Sequence, residues 1–177
     1  MRARVIKILL ALIIQLNWLF PMETVKGLDI NKFMGKWYVI SSIPNFVEED
    51  NQNCYDIYTL NHDGSVSIEY FAIKNDKEFY LKQEATIIDT INFSKWAVRF
   101  TKPWIPFYRA PYEVIVLDKV NYGYMVVGYP GNDYGWIMAR NSFMAEDLYE
   151  QIIEELEINF NYKREQFQMV YHDSLKY

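Results

Sequence analysis

The stretch Asn31-Lys32-Phe33-Met34-Gly35-Lys36-Trp37-Tyr38-Val39-Ile40-Ser41 decides the fold, because Gly35 stands just ahead of Trp37 and an aromatic, β-branched run follows. Such residues fit a pleated, half-buried surface, so a strand is predicted from Trp37 to Ser41, ended by Pro44-Asn45. The Gly-x-Trp-Tyr pattern is weak by itself, since any strand can begin with glycine and continue with aromatics. Its weight comes from what lies downstream.

Further along, turn residues recur at short intervals between alternating apolar stretches. Cys54–Leu60 leads into Asn61-His62-Asp63-Gly64, a hairpin signal because Gly64 relieves the demand for positive φ. Ser65–Ile73 returns to a turn at Asn75-Asp76, and Phe79–Asp89 pairs with Lys95–Thr101 across Asn92-Phe93-Ser94. Tyr112–Asp118, Tyr124–Tyr129 and Tyr134–Arg140 follow, separated by Asn121-Tyr122-Gly123 and Pro130-Gly131-Asn132-Asp133. These make eight predicted strands, the number that closes an all-β, up-and-down antiparallel β-barrel with room for one small ligand. One segment breaks the rhythm. Ala145–Ile158 carries Leu148, Ile152 and Leu156 four residues apart, which predicts an amphipathic C-terminal helix packed outside the barrel. Ser142, Glu146 and Asp147 suit the start of that helix, and Gln168–Tyr171 is a final short strand.

Composition narrows the function classes. The 177 residues fit one domain, expected over 28–173, and the aromatic share of 18% is high. Aromatics can line a cavity with flat apolar faces or simply fill a core, and composition does not separate these. A net charge of −5 with no basic stripe argues against a nucleic-acid groove. The single Cys54 excludes an intramolecular disulfide, and His62 and His172 have no ligand spacing, so no metal and no cofactor are expected. Residues 1–22 read as an export signal: Arg2, Arg4 and Lys7 flank the apolar run Val5–Phe20. No small-residue pair precedes Pro21, so an uncleaved signal anchor is the alternative, and no cysteine closes the segment for lipidation.

Gly35, Trp37, Asp133-Tyr134 and Arg140 together resemble the conserved regions of the lipocalin family. The likeness extends over the mature chain. Pro106-Phe107 followed by Tyr112–Asp118, and then Tyr124–Arg140, is similar to the branch containing the bacterial lipocalin Blc, apolipoprotein D and the plant temperature-induced lipocalins. The resemblance implies that the Arg140 guanidinium lies over the Trp37 indole at the closed end, where cation–π attraction and hydrogen bonds to loop carbonyls would hold it. It also implies an exported carrier of membrane-derived lipids, fatty acids or lysophospholipids, monomeric or weakly dimeric.

With Trp37 inward, the period of two sends Val39 and Ser41 into the barrel. Registers like those of the family add Tyr58, Ile68, Tyr70, Ala72, Ala85, Ile87, Val98 and Phe100. On the last three strands they add Val114, Val116, Met125, Val127, Tyr134, Trp136 and Met138. This is an apolar cup with tyrosine hydroxyls, suited to an acyl chain, unless the side chains fill the barrel completely. The same register sends Asp56 inward, where a carboxylate needs a partner or a water-filled mouth, so either the register slips or Asp56 contacts a polar head group. Phe46, Trp104, Ile105 and Phe107 fall in predicted loops and read either as a membrane-docking rim or as ordinary loop packing. The clusters Glu48-Glu49-Asp50 and Glu154-Glu155 read as solvated faces. No nucleophile elbow or phosphate loop is present, so an enzyme is not expected. The alternative is a lipocalin-fold isomerase or epoxide-modifying enzyme acting on a lipophilic substrate.

Overall fold

The computed structural model describes residues 22–45 and 48–173. The expected export signal therefore lies outside the described residues, apart from Met22, and so does Phe46. A short helix, α1 (Ile30–Phe33), precedes eight strands: β1 (Gly35–Ser42), β2 (Gln52–Leu60), β3 (Val66–Lys74), β4 (Lys77–Ile87), β5 (Lys95–Lys102), β6 (Ala110–Leu117), β7 (Tyr124–Gly128) and β8 (Gly135–Ala139). Each pairs antiparallel with the next, and β1 pairs with both β8 and β2, so the sheet closes on itself. Closure removes the exposed edges that an open sheet would present. Helix α2 (Glu146–Phe160) follows, and β9 (Gln168–Met169) pairs with Ser41 and Ser42 of β1.

Helix α2 begins at Glu146 and runs through Phe160, two residues beyond the expected end. Ala145 is its N-cap and makes no side-chain cap, so Ser142 does not serve there. Glu146 and Asp147 in the first turn complement the helix dipole instead. Asn161, in the left-handed region at φ 58°, ends it. Ile152, Ile153 and Leu156 are buried against Ile43, Ile115, Val116, Val126 and Ile137, forming an outer core between helix and barrel wall.

Two β-bulges decide which residues face inward. In β1 the register against β8 shifts between Val39, opposite Met138, and Ser41, opposite Ile137. In β6 it shifts between Val114, opposite Val127, and Val116, opposite Val126. An extra residue reverses the facing of everything after it. Ser41 and Val116, which strict alternation sends inside the barrel, both face the helix instead. The Tyr149 hydroxyl donates to Ser41 Oγ at 3.1 Å, and the Ser41 hydroxyl donates in turn to the Gln168 carbonyl at 3.0 Å. Val116 joins the helix-side core, and Leu117 takes the inward position.

The closed end is built around a plug. The Phe33 ring, carried by α1, lies 5.5 Å from Trp37, 5.6 Å from Tyr58 and 5.2 Å from Trp96, and is fully buried. Trp37 Nε1 donates to the Phe33 carbonyl at 2.8 Å. The Arg140 guanidinium lies against the Trp37 ring, 3.8 Å from its centroid. Its nitrogens donate to the carbonyls of Lys32 (2.7 Å), Met34 (2.9 Å), Phe33 (3.1 Å), Lys36 (2.8 Å) and Tyr122 (3.3 Å). Gly35, at φ 96°, adopts a conformation that side chains disfavour, and a Cβ there would sit 3.4 Å from the guanidinium. Asp133 takes no part in this lock: it is exposed in the β7–β8 loop at the opposite end.

Arg140→Lys keeps the charge but loses the planar fork. It should lower unfolding free energy by about 2–4 kcal/mol in urea titration, with the far-ultraviolet spectrum unchanged.

Candidate functional site at the open end of the barrel

The end opposite the plug is bounded by the loops β1–β2, β3–β4, β5–β6 and β7–β8. Of the residues expected to line a cup, Val39, Tyr58, Ile68, Tyr70, Ala85, Val98, Val114, Met125 and Val127 do face the barrel interior. All nine are buried among one another and among Trp37, Trp96 and Met138. Inward-facing side chains that keep accessible surface are fewer. Phe100 and Trp136 are half-buried members of the same interior, joined by Phe79 and Tyr112. Tyr134, in the loop before β8, sets its ring 6.3 Å from Trp136 and 5.0 Å from Tyr129. The barrel is thus packed solid in its lower part, while above it part-exposed aromatics stand beside the buried Tyr70, Ala72 and Leu81.

Between the two regions lies a polar layer. Tyr112 stacks on Trp96, with ring centroids 4.9 Å apart and planes 6° from parallel. Its hydroxyl meets that of Tyr58 at 2.9 Å, and the Tyr58 hydroxyl lies 3.1 Å from Asp56 Oδ2. Asp56 is opposite Trp37 in the β1–β2 register, and directly paired residues share a face, so its inward direction holds. Its side chain is only half-buried by surface although it points inside the barrel, as expected of a group bordering internal space. Nearby, the Tyr70 hydroxyl donates to Cys54 Sγ at 3.2 Å and receives a hydrogen bond from Asn51 Nδ2 at 2.9 Å.

Glu48 departs from the solvated-face reading. The β1–β2 loop folds it back so that its Oε2 accepts from Trp136 Nε1 and from Asn45 Nδ2, each at 2.8 Å. A run of three acidic residues carries no periodic signal that one will turn inward, so nothing in the pattern separates Glu48 from its neighbours. Tyr112 is absent from the expected set although a signal for it exists: it lies two residues before the inward Val114, on the same face. A polar recess of about 250 Å³ adjoins the β1–β2 loop, lined by Ser42, Glu48, Asn51 and Tyr171 among others.

Burial in this low-dielectric interior disfavours charge. It raises the Asp56 carboxyl from 3.8 to about 8, with the nearby Glu48 adding to the rise and the Tyr58 hydrogen bond opposing it. Glu48 is also raised by burial, against the hydrogen bonds from Trp136 and Asn45. Burial pushes the Cys54 thiol up to about 12, and the Tyr58 and Tyr112 hydroxyls well above the usual phenol range. The layer is therefore a set of neutral hydroxyls and one carboxyl whose ionisation burial opposes.

Residues 28–172 match the family described as a lipocalin-like domain. This chain belongs to the lipocalin family. It is 32% identical over 139 residues to temperature-induced lipocalin-1 of Arabidopsis thaliana, covering 76% of this chain and 74% of that protein. It is 27% identical over 132 residues to the outer membrane lipoprotein Blc of Citrobacter freundii, covering 75% and 73%. Both fall in the branch expected from the sequence. Insecticyanin of the tobacco hornworm Manduca sexta shares the fold of this lipocalin, with a TM-score of 0.66, 15% identity, and 85% and 84% of the two chains covered.

The raised Asp56 carboxyl makes a prediction about stability. Folding favours its protonated form, so its contribution is fully present below about pH 4 and is lost as pH rises through about 8. The amide introduced by Asp56→Asn stays neutral throughout. The melting temperature of the variant relative to the unmodified protein should therefore rise between about pH 5 and about pH 9; a constant difference would contradict the raised value.

Proposed function

We propose that this lipocalin is an exported carrier that binds a membrane-derived lipid, a fatty acid or a lysophospholipid, in the upper part of its barrel, and performs no chemistry on it. The observation that carries the reading is the change in packing along the barrel axis: a solid lower half under an aromatic-lined opening. A ligand site wants a concave, mostly apolar wall with a few placed polar groups, and Phe79, Phe100, Tyr112 and Trp136 over the Asp56–Tyr58–Tyr112 layer answer that description. Likeness to an outer membrane lipoprotein supports export.

Contact with a membrane fits the β5–β6 loop. Trp104 and Phe107 are 72% and 103% exposed, Ile105 and Tyr108 41% and 44%, and Lys102 and Arg109 flank them without an acidic residue between. Apolar side chains enter the interfacial region while flanking cations meet anionic head groups. Tyr108 lies 5.5 Å from Phe100, so the exposed loop is continuous with the barrel opening. Ligand would pass between bilayer and barrel across this rim.

A second reading, an enzyme acting on a lipophilic substrate, draws on the Asp56 carboxyl, whose raised value suits a general acid. It is tested by the same experiment as the carrier. Protein purified from cells, then denatured and extracted, should release intact fatty acids or lysophospholipids detected by mass spectrometry. Titration with lysophosphatidylcholine should alter tryptophan fluorescence, and Trp136→Phe should remove most of that change. An empty protein whose fluorescence ignores the lipid would defeat the carrier, and conversion of the added lipid would establish the enzyme. For the rim, Trp104→Ser with Phe107→Ser should reduce sedimentation with anionic vesicles by about tenfold or more.

A further inference from the structure

Two carboxyls turn into the barrel opening, whereas the cations near it, Lys74 beside Phe79 and the exposed Lys102 and Arg109, stand on its rim. Asp56 projects inward from β2, and Glu48 folds in from the β1–β2 loop. Among the described residues, no lysine, arginine or histidine forms an ion pair with either carboxyl; the five ion pairs among those residues involve Lys26, Lys82, Lys95, Arg99 and Arg164, with other partners. Lys74, at the rim, lies over the Phe79 ring at 5.8 Å. A fatty-acid carboxylate entering this space would therefore meet two acids with no cation paired to them.

The aromatic groups point the same way and are an independent feature. Trp136 and Tyr134 stand roughly side by side, their planes 27° apart. Phe100 and Tyr108 form a second pair, and Tyr112 lies flat on Trp96. Aromatic faces carry negative potential, and several of them around one space, together with carboxylates, is the arrangement that recognises ammonium groups. Glu48 accepts from Trp136 Nε1, and Asp56 lies beside Tyr58, whose hydroxyl meets that of Tyr112, so each acid sits among the aromatics.

We propose that the barrel opening selects amphiphiles whose polar end is cationic, a primary amine or a quaternary ammonium such as a choline head group, over fatty-acid anions. The proposal rests on the carrier reading above and narrows its ligand class. The cation would sit between Glu48 and Asp56 against the faces of Trp136 and Tyr112, with the hydrocarbon chain along Phe79 and Phe100. Arrival of a positive charge would favour ionised Asp56, so binding would release a proton and give the carboxyls an ion-pair partner.

The test uses the full-length protein and three probes with the same twelve-carbon chain, below their micelle concentrations: dodecyltrimethylammonium, dodecanol and dodecanoate. Binding is read by tryptophan fluorescence and by calorimetry near neutral pH. Dodecyltrimethylammonium should bind about tenfold or more tighter than dodecanoate, with dodecanol between them. Asp56→Asn and Glu48→Gln should each reduce the ratio of cation to dodecanol affinity. The amide oxygen that Glu48→Gln introduces can still accept from Trp136 Nε1, so that variant keeps the loop in place. Dodecanoate binding as tightly as the cation would overturn this proposal and leave the carrier reading standing. A cation preference unchanged in both variants would overturn the assignment to these carboxyls. Failure of all three probes to bind would overturn the carrier reading and this one with it.

Discussion

The guanidinium of Arg140 lies over Trp37 and gathers five backbone carbonyls from α1, the start of β1 and the β6–β7 loop. Burial lowers the basicity of this group, yet an arginine keeps its charge, and a charge so placed stands only because carbonyl oxygens and an aromatic face replace water. Satisfying it fixes α1 across the end of the barrel, and α1 in turn delivers Phe33 into the gap between Trp37, Tyr58 and Trp96. With one end plugged this way, the part-exposed aromatics of the interior lie toward the other.

That division governs the electrostatics. Tyr58 is the hinge between the two regions: its ring packs on the plug, and its hydroxyl belongs to the polar layer with Tyr112 and Asp56. An acid in such a place is costly to ionise, and the hydrogen bond from Tyr58 offsets only part of that cost. The interior is neither an oil-filled barrel nor a charged channel. It is an apolar interior crossed by a hydrogen-bonded layer.

The alternation of side chains makes the interior legible, but only as far as the strands stay regular. Val39, Tyr58, Ile68, Val98, Met125 and Val127 follow a period of two without interruption and are readable as inward-facing. Ser41 and Val116 are not, because each follows a bulge, and nothing in Val39-Ile40-Ser41 or Val114-Ile115-Val116 announces the extra residue. Asp56 is legible as a conflict, a carboxylate on an apolar face, and the conflict marks a polar layer rather than a slipped register. Glu48 is hidden, since loop geometry rather than periodicity carries it inward. The family motif locates the closed end through Gly35, Trp37 and Arg140, whereas the open end depends on loops, the parts of a fold that vary most in sequence and length.

A solid lower barrel, with ligand held only above the Tyr58–Tyr112–Asp56 layer, is tested most directly by intermolecular nuclear Overhauser effects between a bound twelve-carbon amphiphile and the protein. Contacts are predicted from ligand protons to Trp136, Phe100, Phe79 and Tyr112, and none to Trp37, Val66 or Met125. Strong contacts to Trp37 or Met125 would place the ligand in the packed region and would contradict the division of the barrel into a plugged base and an open well.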